Sequence, residues 1–86
     1  SRPRGQSRRE AARRSWRTAW QAPMPGRVTA IHVKVGQEVQ PGDALLSLEA
    51  MKMENVLKAE GIGVVSAIQI QEGDVVDKGG LLISFE

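Results

Sequence analysis

The sequence predicts an all-β fold, a flattened antiparallel barrel or sandwich whose two halves are related by a pseudo-twofold axis. Three observations predict it: an internal repeat, short runs rich in β-branched residues, and glycine turns between those runs. Residues 26–49 align on residues 63–86 without a gap, at a constant offset of 37 positions. Because two copies are too few for a solenoid, we expect one closed unit in which each copy supplies half of the core.

The first copy predicts three strands in order. Polar and apolar residues alternate over residues 28–35, which is typical of a half-buried strand surface. Gly36 ends this run, a short segment through Val39 follows, and the Pro41-Gly42 pair marks the next turn. Residues 44–51 then predict the third strand.

The second copy predicts the same order of elements. Gly73 takes the place of Gly36, a short segment runs through Val76, and residues 78–80 form the next turn. Residues 81–85 predict the last strand. The identical pairs of the two copies are Gly26/Gly63, Val28/Val65, Ala30/Ala67, Ile31/Ile68, Gly36/Gly73, Val39/Val76, Gly42/Gly79, Leu45/Leu82, Ser47/Ser84 and Glu49/Glu86.

The segment between the copies must return the chain to the start of the second one. Residues 55–59 predict a return strand, so residues 51–54 predict a hairpin bend. Lys52 is then expected at the exposed tip of this hairpin. The Gly61-x-Gly63 pair lacks a third glycine at the required spacing and opens no predicted helix, so it does not indicate a nucleotide loop.

Composition excludes several classes of function. The 86 residues suit one small domain, without cysteine for disulfides or thiolate metal sites and with His32 as the single histidine. We therefore expect no metal site and no catalytic residue. No apolar run approaches the roughly 20 residues that span a bilayer, and no secretory signal is visible. The chain starts at Ser1 without a methionine, which leaves its true beginning open.

The charge divides the chain into two parts. Residues 1–21 form a basic, arginine-rich tail or linker with a net charge of +6, whereas residues 22–86 form the predicted domain with a net charge of −4. The basic pI therefore describes the tail, and we expect no nucleic-acid partner for the domain. Ser7 and Glu10 form a capping box that favours a short helix through Trp20. For this tail, docking on a partner subunit, contact with an anionic surface, nucleic-acid binding, a transit peptide and a disordered linker remain open, with the linker favoured.

The centre of the chain, Glu49-Ala50-Met51-Lys52-Met53-Glu54, resembles the biotinyl, or biotin carboxyl carrier, domains of biotin-dependent carboxylases and decarboxylases. The resemblance covers residues 22–86. It includes Ala22-Pro23-Met24-Pro25-Gly26 at the start, Pro41-Gly42-Asp43 in the first copy and Gly79-Gly80-Leu81-Leu82 in the second. The Ala-Met-Lys-Met tetrad inside a matching body is a far more specific signal than Met-Lys-Met alone.

The resemblance implies two four-stranded sheets and biotin in amide linkage to Lys52, attached by a separate biotin-protein ligase. It makes Ala50, Met51 and Met53 the recognition motif. Glu54 becomes a candidate for ligase contact, as does Glu49, although its counterpart Glu86 in the copy without a lysine argues for a structural role. Since an exposed lysine amine is protonated at neutral pH, the ligase is expected to supply the base and the activated acyl group.

The function implied is that of a carrier, not catalytic alone, which shuttles carboxyl between a biotin carboxylase and a carboxyltransferase. The expected compartment is the cytoplasm, or the mitochondrial matrix in a eukaryote. Two alternatives stay open. A lipoyl carrier domain of a 2-oxo acid dehydrogenase complex shares the fold, but Met51 and Met53 differ from the acidic and small residues typical beside its lysine. The other alternative is a binding module that acts through the basic tail.

Overall fold

The computed structural model describes residues 15–86, which form eight β-strands and no helix. No helix in this part of the chain is long and apolar enough to cross a membrane. The strands are β1 (Ala19–Gln21), β2 (Gly26–Ile31), β3 (Glu38–Val39), β4 (Ala44–Ala50), β5 (Met53–Lys58), β6 (Gly63–Ile68), β7 (Val75–Val76) and β8 (Leu81–Phe85).

The strands form two four-stranded antiparallel sheets, in the orders β1-β8-β6-β3 and β5-β4-β2-β7. The long strands of the first copy, β2 and β4, lie in one sheet, and those of the second copy, β6 and β8, lie in the other. The short strands are exchanged, because β3 pairs with β6 of the second copy and β7 pairs with β2 of the first. The predicted all-β fold with an internal pseudo-twofold relation is confirmed.

Backbone hydrogen bonds make the exchange reciprocal. The N–H of Gly36 donates to the carbonyl oxygen of Val65 at 2.7 Å, and the N–H of Gly73 donates to that of Val28 at 2.7 Å. The two bonds are equivalent in the repeat, because Gly36 corresponds to Gly73 and Val65 corresponds to Val28. Both glycines have positive φ, 91° and 96°, a conformation that other L-residues adopt only with strain. The glycine turns predicted from the sequence therefore also hydrogen-bond each copy of the repeat to the other copy.

The core between the sheets is almost entirely aliphatic. Its fully buried side chains come from both copies, which contribute to it alike: Val28, Val39, Leu45, Leu46, Leu48, Val64, Val65, Leu82 and Ile83. The buried hydroxyl of Ser47 lies 2.9 Å from Nε2 of His32, so this polar group keeps a partner. The side chains of the two inner faces therefore pack together in one core.

Several strand boundaries differ from the sequence prediction, most of all at the end of β2. Strand β2 ends at Ile31, and the last bond to β4 is that from the N–H of His32 to the carbonyl oxygen of Leu45 at 2.9 Å. The N–H of Lys34 bonds to Oε1 of Gln37, whose own N–H bonds back to the carbonyl of Lys34, so a local turn replaces the ladder. Strand β5 starts at Met53 rather than Asn55, which shortens the bend to two residues.

The segment before Ala22 also differs from the expected tail in its described part. Residues 19–21 form β1, which pairs with β8, and Trp20 is buried with 7% of its surface exposed. Aromatic burial and backbone pairing draw this segment onto the sheet edge, so the helix expected through Trp20 is absent from residues 15–21. The rest of the expected helix, residues 7–14, lies outside the described residues.

Strand β1 is the structural counterpart of β5. Trp20 pairs with Ile83 and Leu57 pairs with Leu46, so the two pairs correspond under the same offset of 37. The bonds that follow also correspond. Gly79 donates to the carbonyl of Ala22, and Gly42 donates to that of Ala59, both at 2.8 Å. The repeat therefore extends further in structure than its sequence identity indicates.

Gly61 makes room for the segment that leads into β1. A Cβ on Gly61 would lie 2.5 Å from Cβ of Trp16, closer than nonbonded carbons approach. The indole of Trp16 packs against the Phe85 ring at a centroid distance of 4.7 Å and a tilt of 56°, within the range of favourable aromatic pairs. This close approach gives Gly61 a packing role.

We predict that Gly61→Ala destabilises the domain by about 1–3 kcal/mol, because the added methyl group displaces Trp16. The same substitution in a Trp16→Gly background should cost much less, since glycine lacks the Cβ that the added methyl group would meet. Urea denaturation of the four proteins of this double-mutant cycle, followed by circular dichroism, measures both values. An equal cost in both backgrounds would contradict this role for Gly61.

Candidate functional site

The hairpin between β4 and β5 consists of two residues, Met51 and Lys52. The flanking residues Ala50 and Met53 pair directly, so the strands continue up to the turn itself. Met51 has a φ of 53° and Lys52 a φ of 65°. Positive φ at both central residues identifies a type I′ turn, whose twist matches that of the flanking strands. The lysine predicted for the tip thus lies in the tightest kind of hairpin bend.

The side chains around Lys52 divide sharply by exposure. Lys52 is exposed, Met51 has 94% of its surface accessible, and Met53 has 66%. Ala50 is buried at 8% and packs at the base of the hairpin. Two apolar thioethers therefore flank the amine on the surface, where methionine's flexibility suits binding to a partner. Neither methionine belongs to the buried core.

Two carboxylates face each other below the turn. Glu49 and Glu54 are direct cross-strand partners, an arrangement in which like charges repel. Each carboxylate has its own partner on β2. Arg27 Nη2 lies 3.1 Å from Oε1 of Glu49, and the Thr29 hydroxyl donates to Oε2 of Glu54 at 2.7 Å. The base of the hairpin is therefore joined to its sheet by side chains as well as by the backbone ladder.

Arg27 and Thr29 were not among the site residues predicted from the sequence. Both lie in β2, more than 20 positions before the carboxylates that they contact. A register shift between Val28 and Ala30 intervenes, so simple alternation does not place Thr29 opposite Glu54. In the sequence, only the positive charge of Arg27 indicated a contact of this kind. The β2–β4 register is needed to identify Glu49 as its partner.

The arrangement suits modification of an amine better than catalysis. Within residues 15–86 no group of three or more His, Asp and Glu side chains is placed to hold a metal ion. The carboxylates of Glu49 and Glu54 contact Arg27 and Thr29. An acyl group on Lys52 needs no pocket within the domain, because the amine projects from the tip of a two-residue turn. Such a site fits an amide-linked cofactor that other proteins attach and use.

Comparison with known proteins gives concordant results. The model of a family described as biotin-requiring enzyme matches residues 18–85. The chain is 48% identical over 64 residues to the propionyl-CoA carboxylase alpha chain of Ruegeria pomeroyi, covering 74% of this chain and 9% of that protein. It is also 48% identical over 58 residues to the biotin carboxyl carrier protein of acetyl-CoA carboxylase from Solanum lycopersicum, covering 67% and 83% of the two chains.

Solved structures show the same fold. A single-chain, multi-domain long-chain acyl-CoA carboxylase aligns with a TM-score of 0.74 at 33% identity, over 78% of this chain and 7% of that one. The lipoyl domain of the 2-oxoglutarate dehydrogenase complex from Azotobacter vinelandii aligns with a TM-score of 0.70 at 29% identity, over 80% and 95%. This chain spans less than a tenth of the carboxylase chains that it matches. The chain belongs to the family of the biotin-requiring enzymes, in which it is a biotin carrier domain.

Proposed function

We propose that Lys52 is the attachment site of biotin and that a biotin-protein ligase forms the amide. The observation that carries the proposal is a single lysine at the tip of a type I′ turn, flanked by the exposed side chains of Met51 and Met53. The exposed thioethers give a ligase an apolar surface on either side of the amine. Ala50 fixes the position of the Ala-Met-Lys-Met motif, because its side chain is buried where the hairpin meets the sheet.

The backbone of the turn supports the same proposal. Type I′ turns favour Asn-Gly, because both central residues need positive φ. Here Met51 and Lys52 take these positions, each at a conformational cost of about 1–2 kcal/mol. Strain of this kind persists where the surroundings over-determine the conformation, and it clusters at functional sites. The strands on either side impose it, so the amine is presented in one backbone conformation.

Glu49 and Glu54 have separate parts in this proposal. Glu49 is held by Arg27 and fixes the register at the base of the hairpin, which fits the structural role that its repeat counterpart Glu86 indicated. Glu54 is exposed and keeps one carboxylate oxygen, Oε1, outside its bond with Thr29. We assign Glu54 the contact with the ligase.

Biotin, when bound, supplies a ring nitrogen that accepts a carboxyl group and gives it up again. The domain contributes position and reach, and partner enzymes supply catalysis. We propose that these partners are a biotin carboxylase and a carboxyltransferase, as the names of the carboxylase relatives suggest. The carrier domain then comprises residues 22–86 together with β1, in the cytoplasm or, in a eukaryote, the mitochondrial matrix.

A lipoyl carrier is the second candidate, because the lipoyl domain of Azotobacter vinelandii shares the fold. Fold likeness alone does not separate the two cofactors, since the turn geometry serves either one. The exposed methionines on both sides of Lys52 favour biotin. A function in the basic tail concerns mainly residues 1–14, outside the described part of the chain, and stays a prediction.

We predict that incubation with a biotin-protein ligase, ATP and biotin adds one biotinyl group, on Lys52. Intact mass and tryptic peptide mass measure the addition and its position. Lys52→Arg should abolish it. Lys58→Arg, on the same hairpin strand, should leave it unchanged because the acceptor is retained. Absence of the addition, under conditions that modify a known carrier, would overturn the biotin proposal, and a parallel reaction with a lipoate ligase would test the alternative.

We predict that Lys52→Gly increases the free energy of unfolding by about 1 kcal/mol, because glycine adopts positive φ without the steric cost. The same variant has no acceptor amine for biotin. Lys58→Gly is the matched control, since glycine within a strand is expected to destabilise by roughly 0.5–1 kcal/mol. Urea denaturation of both variants gives the two signs. Destabilisation by Lys52→Gly would show that the turn is not strained as proposed.

A further inference from the structure

A groove lies on the open side of the barrel, between the edge strands β1 and β5. We call it the β1–β5 groove. Its cavity has a volume of 460 Å³, within the range of about 300–1,000 Å³ that is usual for ligand pockets. The groove separates the edges of the two sheets, since β1 ends one sheet and β5 ends the other. It takes no part in the hairpin site described above.

The floor of the groove is apolar and fixed. Trp20 and Ala22 are buried at 7% and 3%, and the half-buried Leu57 lies opposite them. Backbone hydrogen bonds fix one wall of the groove. The N–H of Ala22 donates to the carbonyl oxygen of Gly80, and the N–H of Gly79 donates to that of Ala22, both at 2.8 Å. The cavity is therefore preformed, and a ligand does not have to order these strands on binding.

The rim of the groove is basic. Arg17, Lys58 and Lys78 line it from three separate segments of the chain, with Glu60 as the only acidic lining residue. Residues 15–86 contain six basic and nine acidic side chains, a net charge of −3. Half of the basic side chains of this acidic part of the chain thus meet at one groove. Their convergence favours an anionic occupant, because opposite charges steer association and fix its orientation.

We propose that the β1–β5 groove docks an acidic segment of the partner carboxylase, with one apolar side chain on the floor and carboxylates at the basic rim. The identification of this partner as a carboxylase rests on the proposed function, whereas the groove and its charge are features of the structure. A free small anion fits less well, since the cations are exposed and the floor offers apolar contact. An extended polyanion such as nucleic acid would run beyond the rim, where the rest of residues 15–86 carries three basic and eight acidic side chains and so repels it.

The groove lies far enough from Lys52 for docking there to assist the carrier function. Val56 and Lys58 lie four and six residues beyond Lys52 along β5, or about 14 and 20 Å at 3.4 Å per residue. An occupant of the groove therefore leaves the hairpin tip free. The carrier can stay tethered by its side while the arm on Lys52 reaches an active site, which raises the effective concentration of the tip.

The test is a two-dimensional NMR titration of the isotope-labelled full chain. The probe is a short synthetic peptide in which glutamates flank one central leucine, beside the same peptide with glutamines. We expect amide shifts at Trp20, Ala22, Leu57 and Gly79, with a Kd below about 1 mM at low salt. The glutamine peptide should bind at least about fivefold more weakly, as the charge contacts require.

Charge-reversal variants locate the binding. Lys58→Glu and Lys78→Glu should each weaken the acidic peptide by about fivefold, whereas Lys34→Glu, an exposed lysine away from the groove, should not. Lys58 and Lys78 are exposed, so the variants are expected to keep the wild-type unfolding midpoint. Equal binding of both peptides, equal loss in Lys34→Glu, shifts confined to the hairpin or no shift below about 1 mM would each overturn the docking proposal.

Biotinylation of the same variants keeps the two proposals apart. Ligase modification of Lys52 should proceed equally in wild type, Lys58→Glu and Lys34→Glu, because the groove lies away from the tip. Loss of peptide binding with normal biotinylation supports the docking proposal. Failure of wild type to accept biotin, with peptide binding intact, would overturn the proposed function and leave the groove standing.

Discussion

The structure depends on the reciprocal bonds by which each copy of the repeat completes the other. Gly36 donates to Val65 and Gly73 donates to Val28, both at 2.7 Å, and the exchanged strands β3 and β7 extend these contacts. A half-domain alone would leave the apolar faces of its long strands in water. Burial of those faces against each other is the main favourable term in folding, so the two copies are expected to fold as one cooperative unit.

This closed core explains how a simple hairpin holds the backbone of Lys52 in place. Strand β4 lies between β2 and β5, and its Leu46 and Leu48 are fully buried, so its end cannot shift without disturbing the core. The turn at Met51 and Lys52 is rigid for the same reason, because it directly follows β4. The flanking strands fix the backbone of Lys52, and its side chain is exposed. In the proposed function, Lys52 therefore stays accessible to the ligase and to the partner enzymes.

Much of this followed from sequence because the repeat is strong where the core is built. The identical Val28/Val65 and Leu45/Leu82 pairs mark buried positions, and the two turn glycines mark places where side chains are strained. Strand β1 was missed because the repeat weakens there: Trp20 corresponds to Leu57, a pair alike only in being apolar. The contacts of Arg27 and Thr29 depend on strand register across a bulge, which composition and periodicity do not determine.

The sites with a proposed function lie where the two copies differ. Glu49 has a counterpart in Glu86, whereas Met51 and Lys52 lie in the segment that joins the two aligned copies. The β1–β5 groove is uneven in the same way, because Lys58 corresponds to Gln21 and Lys78 to Pro41. Symmetry thus supplies the stable barrel. Departures from symmetry supply an amine at one end and a basic groove on one side, and neither disturbs the shared core, since these side chains lie on the surface.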